Sequence, residues 1–257
     1  MKLNFTQQGV GAPIILLHGM FGSLSNLGNL ARALAGNYRV ISVDLRNHGE
    51  SPHEQRMDLE VMAADIIELM DGQGIDSAVL IGHSLGGKVA MQVAMNSPSR
   101  VACVVVADIA PVDYPQQENN AVLSALEQLS EEAIDSRQSA DAVLAEFEID
   151  GPTRGFVLKN LRRLNDGQFD LKLNMPSISA NYATELTRAP VGQPYLGPAL
   201  FVKGEHSAYI QDKHRLRIEA LFPHSCVELM EGAGHWLHAE QPERFNNVVS
   251  SFLNANL

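Results

Sequence analysis

The chain has 257 residues, 45% of them hydrophobic, and carries a formal net charge of −11. That length can bury a substantial core, as one large α/β domain or two small ones. The acidic balance and the lack of any long Lys/Arg run exclude nucleic acid or an anionic membrane surface as the main partner.

Met1 to Thr6 already alternates like a strand, without the apolar h-region of a secretory signal. No apolar run approaches the length that spans a bilayer. The two cysteines, Cys103 and Cys226, each fall in a β-like run. If another strand lies between those runs, a disulfide is out of reach, and two unpaired, buried thiols suit a reducing compartment. A cytoplasmic protein without membrane insertion is therefore expected.

Lys2 to Gln8 reads as a first strand, and Ile14 to Leu17 as a strand buried on both faces that ends in His18-Gly19-Met20-Phe21-Gly22. Leu24 to Ala35 has helix-spaced leucines. Val40 to Leu45 is the next β-run, followed by the turn Arg46-Asn47-His48-Gly49 and a helix from Asp58 to Met70. Ala78 to Ile81 leads into Gly82-His83-Ser84-Leu85-Gly86, then a helix to Asn96 and a strand, Val101 to Ala107, running into Asp108. From about Pro115 the character changes. Residues 115–189 show helical patches (Ala121 to Leu129, Ser139 to Phe147, Gly155 to Leu164) and no convincing buried strand. Alternation resumes with strand Ala199 to Lys203, helix Asp212 to Leu221, strand Cys226 to Met230, the loop Gly232-Ala233-Gly234-His235-Trp236 and a last helix from Pro242. Solid apolar strands alternating with helices predict a parallel sheet covered on both faces. Residues 1–114 and 190–257 form the expected core, and 115–189 a helical cap over the strands' carboxyl ends.

Gly82-His83-Ser84-Leu85-Gly86, between strand and helix, has the context of a nucleophile elbow. The tight turn needs glycine on both sides and forces a strained, positive-φ serine whose hydroxyl leaves the sheet. The free N–H groups of the next helix favour negative charge beside it. A general base is then required, and His235, in a Gly-rich loop after the last strand, is the candidate. His238 reads as a helix-start or surface residue, His83 as a packing residue turned away from Ser84, and His48 and His53 as turn residues. The N–H groups of Met20 and Leu85 form the expected oxyanion hole, with His18 anchoring its loop. Asp44 and Arg46 knit loops together. The orienting acid is open between Asp108, Glu205 and Asp212, because Gly204-Glu205-His206-Ser207 has serine where a G-x-x-D turn would carry it. Paired-cysteine and H-E-x-x-H motifs are missing, as is G-x-G-x-x-G spacing, so neither a metal nor a dinucleotide cofactor is expected.

His18-Gly19, Asp44 to Ser51, Gly82 to Gly86 and Gly234-His235 occur in the order and spacing of α/β-hydrolases, and the resemblance covers essentially the whole chain. Arg46 to Gly49, Asp108 to Tyr114 and Gly232 to Glu240 resemble the bacterial YbfF-type esterases. The resemblance implies a mostly parallel sheet of seven or eight strands with an inserted helical cap. It also implies a carboxylesterase or thioesterase acting on a small acyl ester or acyl-CoA. It favours Asp108 as the acid, with Ser207 a further hydrogen-bond partner of the histidine–acid pair. A monomer or weak dimer is expected. Perhydrolase or C–C hydrolase chemistry, or a non-catalytic binding member, are the rivals. Lys159, Arg162 and Arg163, at i, i+3, i+4 spacing, would share a helix face and could meet a phosphate.

Overall fold

The computed structural model describes residues 1–115 and 120–257. Seven strands form one sheet: β1 (Phe5–Gln8), β2 (Ala12–Leu17), β3 (Tyr38–Val43), β4 (Ala78–His83), β5 (Val101–Ala107), β8 (Ala199–Gly204) and β9 (Ser225–Met230), in the order β1-β3-β2-β4-β5-β8-β9. Only β1 runs antiparallel to its neighbour; every other pairing is parallel. Strand order reverses on either side of β2 and β4, so their carboxyl ends open onto the crevice where such sheets place ligands.

Alternation along the strands separates two cores. Ile15, Leu17, Ile41, Val43, Leu80, Val104 and Val106 face one side, with α2 (Leu59–Gly72) and α3 (Leu85–Asn96) packed over them. Ile14, Leu16, Val40, Val79, Ile81 and Val105 face the other, covered by α1 (Gly28–Leu34) and α10 (Pro242–Asn256). Strands buried on both faces need no polar alternation, which is why they stand out as solid apolar runs. The Asp58 side chain caps α2 by accepting from the Val61 N–H at 2.8 Å. Helix α1 starts later than the leucine spacing suggests, because residues 24–27 form turns, held where Asp44 accepts from the Leu24 N–H at 2.7 Å. The Arg46 guanidinium forks onto Asp65 of α2 with contacts of 2.6 and 2.9 Å, tying the loop after β3 to that helix.

Between β5 and β8 the chain leaves the sheet. This segment contains α4 (Ala121–Glu131), α5 (Arg137–Glu146), α6 (Gly151–Val157), a hairpin of β6 (Leu161–Arg163) and β7 (Phe169–Leu171), and α7 (Met175–Asn181). Residues 116–119, inside the expected insertion, lie outside the described residues. Leu126, Leu129, Leu144 and Leu173 bury themselves on the α2/α3 side of the sheet.

Several expectations are corrected here. Helix α6 stops at Val157, and after one 3-10 turn Arg162 and Arg163 sit on a strand, so they share no helix face with Lys159. Arg162 instead pairs with Asp170 across the hairpin at 2.8 Å. Strand β8 separates Cys103 from Cys226, but only Cys103 is buried; Cys226 is exposed because β9 is the sheet's edge strand. His238 lies in the first turn of α9 (Leu237–Glu240), which follows α8 (Arg215–Leu221), so the helix-start reading holds, but it is buried rather than at the surface. No helix among the described residues is long and apolar enough to cross a membrane.

Candidate active site

Strand β4 ends in Ser84, whose backbone holds φ 50° and ψ −116°, and α3 begins at the next residue. A Cβ on Gly82 would strike the Gly86 carbonyl, and one on Gly86 would strike the Leu17 carbonyl. Glycine at 82 is thus a requirement of the tightness of the elbow itself, and glycine at 86 of its close approach to the end of β2. The strain at Ser84, of order 1–3 kcal/mol, is held by a bond from its N–H to the Ala107 carbonyl at 2.9 Å. A Cβ built on Gly19 would stand 3.4 Å from that of Ser84, so the turn after β2 lies directly against the elbow.

Asp108 follows β5 with φ 50° and is fully buried. Its N–H donates to the Val202 carbonyl at 2.8 Å, which turns the carboxylate toward the loop after β9. One oxygen accepts from the Gly204 N–H at 3.1 Å; the other accepts from His235 Nδ1 at 2.7 Å and from the Ser207 hydroxyl. Because a carboxylate only accepts, Nδ1 carries the imidazole hydrogen and Nε2 keeps its lone pair. Glu205 accepts from the Gly232 N–H at 2.7 Å, and Asp212 is fully exposed near Lys203, so neither is hydrogen-bonded to His235. Among the described hydrogen bonds none joins the Ser84 hydroxyl to His235. Such contacts are commonly loose in a substrate-free site and tighten around the reacting group.

Tyr209, Glu240 and Lys88 help hold this arrangement and were not foreseen in the sequence; His83 was read as a packing residue. The Tyr209 ring stacks on the His235 imidazole with centroids 4.2 Å apart. The Glu240 carboxylate brackets the histidine loop, accepting from Gly234 N–H at 2.7 Å and Trp236 N–H at 3.0 Å. His83 faces away from the serine and bonds the His235 carbonyl at 2.9 Å. Lys88, one helical turn beyond Ser84, is buried and donates to the carbonyls of Leu186, Thr187 and Arg188 at 3.1, 2.8 and 2.6 Å. Burial lowers its ammonium to about 7. Its i+4 spacing from Ser84 is the sequence signal that could have found it.

His18 and His48 are completely enclosed and serve the turn after β2. His18 Nε2 accepts from the Leu45 N–H at 3.0 Å, and His48 Nε2 from the Phe21 N–H at 3.2 Å. Burial lowers them to about 4 and about 3, so both are neutral. His48 is thus an interior strut, not only a turn residue.

A cavity of about 360 Å³ opens onto the elbow, with Met20, Ser84, Leu85, Ile109, Leu186 and Tyr209 in its wall. Met20 and Leu85 thereby share one space with the serine. Lys88, Asp113, Gln211, Lys213 and His214 add polar groups to a mainly apolar lining. Among the described residues no three His, Cys, Asp or Glu side chains converge as a metal-ligand set.

The comparisons agree with this architecture. The family model described as alpha/beta hydrolase fold matches residues 12–242. The chain is 36% identical to Esterase YbfF of Escherichia coli (strain K12), over 99% of this chain and 100% of that protein. It is 37% identical to the sn-1-specific diacylglycerol lipase ABHD11 of Mus musculus, over 93% of this chain and 80% of the relative. A solved structure titled marine microorganism esterase superposes with a TM-score of 0.92 at 38% identity, covering 98% of this chain and 99% of the other. The seven-stranded sheet, the strained serine between β4 and α3 and these matches together place the chain in the α/β-hydrolase fold family.

Proposed function

We propose that the protein is a serine ester hydrolase working through an acyl-enzyme on Ser84. The observation that carries the reading is the Asp108–His235 pair, joined at 2.7 Å and set at the same sheet edge as a strained serine in a cavity wall. His235 Nε2 takes the hydroxyl proton as Ser84 attacks the acyl carbon, then gives it to the departing alcohol. Asp108 fixes the tautomer and stabilises the imidazolium, while Ser207 and the Gly204 N–H hold Asp108. The Met20 and Leu85 N–H groups receive the oxyanion. Water, activated by His235, then releases the acid and regenerates Ser84.

The cavity volume lies at the small end of the range for small-molecule sites, which supports a short to medium acyl group. A thioester such as an acyl-CoA would fit the same chemistry, since only the leaving atom differs. The described part of the insertion, residues 120–189, acts as the cap over this space. Two free cysteines support a reducing, cytoplasmic location.

The test is hydrolysis of p-nitrophenyl butyrate by wild type and Ser84→Ala. Wild type should turn over, and Ser84→Ala should lose about 10⁶-fold in kcat, the loss expected when such a nucleophile is removed. A variant that retains the wild-type rate would overturn the assignment.

A further inference from the structure

The turn that presents Met20 is closed by a bond from the Gly22 N–H to the Gly19 carbonyl at 3.0 Å, and its third residue, Phe21, has φ 59°. Glycine is favoured there, so a phenylalanine must be held in place by its surroundings. Both sides of Phe21 are indeed bonded. Its N–H goes to His48 Nε2 at 3.2 Å, and its carbonyl accepts from Asn160 Nδ2 at 2.6 Å. Asn160 does not belong to the sheet. It ends the 3-10 turn after α6, it is 2% exposed, and its amide also donates to the Val157 carbonyl at 3.0 Å. The Lys172 N–H bonds the Asn160 carbonyl at 2.8 Å, tying this turn to the end of the β6–β7 hairpin.

The same hairpin exit reaches the other clamp. Leu173 forms an antiparallel bridge with His48, and the Asn174 N–H bonds the Asn47 carbonyl at 3.0 Å. The insertion therefore grips the Phe21 peptide directly through Asn160 and supports His48 from behind.

From this geometry we propose that Asn160 is a positioning residue for the oxyanion turn, so that the seated insertion sets the direction of the Met20 N–H. The inference rests on reading Met20 as an oxyanion donor. It makes the insertion part of the catalytic apparatus as well as a cover for the substrate. Without the Asn160 amide, the Phe21 carbonyl loses this donor and the left-handed residue is held from one side only. The donor is then misaimed, not removed, so the loss should fall below that for deleting an oxyanion donor outright.

The experiment compares Asn160→Ala, the similarly branched but apolar Asn160→Leu, and Ser177→Ala. The last removes a different insertion-to-core bond, from Ser177 Oγ to the Glu54 carbonyl at 2.6 Å, that does not touch the turn. Kinetics on p-nitrophenyl butyrate are combined with inhibition by a trifluoromethyl ketone, whose tetrahedral adduct needs the oxyanion donors, and with melting temperatures. Both Asn160 variants should lose about 10- to 100-fold in kcat, against the ~10²–10³-fold cost of losing a whole donor. Ketone inhibition should weaken in step and KM should barely move, while Ser177→Ala keeps the wild-type kcat. If Asn160→Ala fails to fold, Asn160→Leu, which fills the site with a branched side chain and carries no donor, decides. An active wild type with unchanged kcat and ketone inhibition in the Asn160 variants overturns this inference alone. An equal kcat loss in Ser177→Ala does so too. A wild type inert to substrate and ketone overturns the ester-hydrolase reading beneath it.

Discussion

Asp108→Asn is expected to lower kcat by about 10⁴-fold, the loss that follows when a triad histidine is left with the wrong tautomer. The carboxylate accepts at once from His235 Nδ1, Ser207 and the Gly204 N–H. An amide in its place turns either its oxygen or its NH2 toward His235. In the second case the imidazole must move its hydrogen to Nε2, and Ser84 loses its base. Glu205→Gln and Asp212→Asn should keep wild-type kcat, because Glu205 bonds the Gly232 N–H and Asp212 is solvated. Steady-state hydrolysis of p-nitrophenyl butyrate by the three variants checks this. A fall confined to Glu205→Gln would move the acid there.

Acid should unfold the protein cooperatively before its carboxylates are fully protonated. His18, His48, His83 and His238 are buried, and burial is the main reason each is lowered, to about 4 for His18 and about 3 for His48 and His238. The Lys159 ammonium acts the same way on His238, while the Asp44 carboxylate opposes the effect of burial on His48. In the unfolded chain these rings protonate near pH 6.5, while in the folded chain they stay neutral down to the lowered values. Below pH 6.5 the unfolded state thus binds more protons, so stability falls as pH falls, over a window from about 6.5 to 3–4. Near pH 5.5 these rings should bind between about three and four protons on unfolding, a slope of about 5 kcal/mol per pH unit. Urea midpoints measured from pH 7.5 to 5 would show the drop. A flat profile over that range would contradict the buried neutral histidines.

What the sequence made legible follows from where the constraints are local. The apolar runs of β2, β4 and β5 are buried on both faces, so composition alone marks them. The elbow needs glycine at 82 and 86 for backbone clearance, and that requirement is written in neighbouring residues. Asp108 and His235 are 127 positions apart, yet each follows the end of a recognised strand, so topology brought them into view. The insertion was the least legible part. Its helices and hairpin are short, and whether residues 159–163 form helix or strand is decided by the pairing of Leu161–Arg163 with Phe169–Leu171, not by charge spacing. Asn160, Tyr209 and Glu240 act through contacts made only in the folded chain: one amide on a strained carbonyl, one ring on an imidazole, one carboxylate across two loop N–H groups. Cys226 followed the strand pattern, but edge position, which the pattern does not encode, left it exposed.

The most direct measurement is intact mass and peptide mapping after reaction with a fluorophosphonate, on wild type and Ser84→Ala. A single adduct is expected in wild type, on Ser84, and none in the variant. A folded wild type that forms no adduct, or one that carries it on another residue, would contradict the claim that Ser84 is the nucleophile.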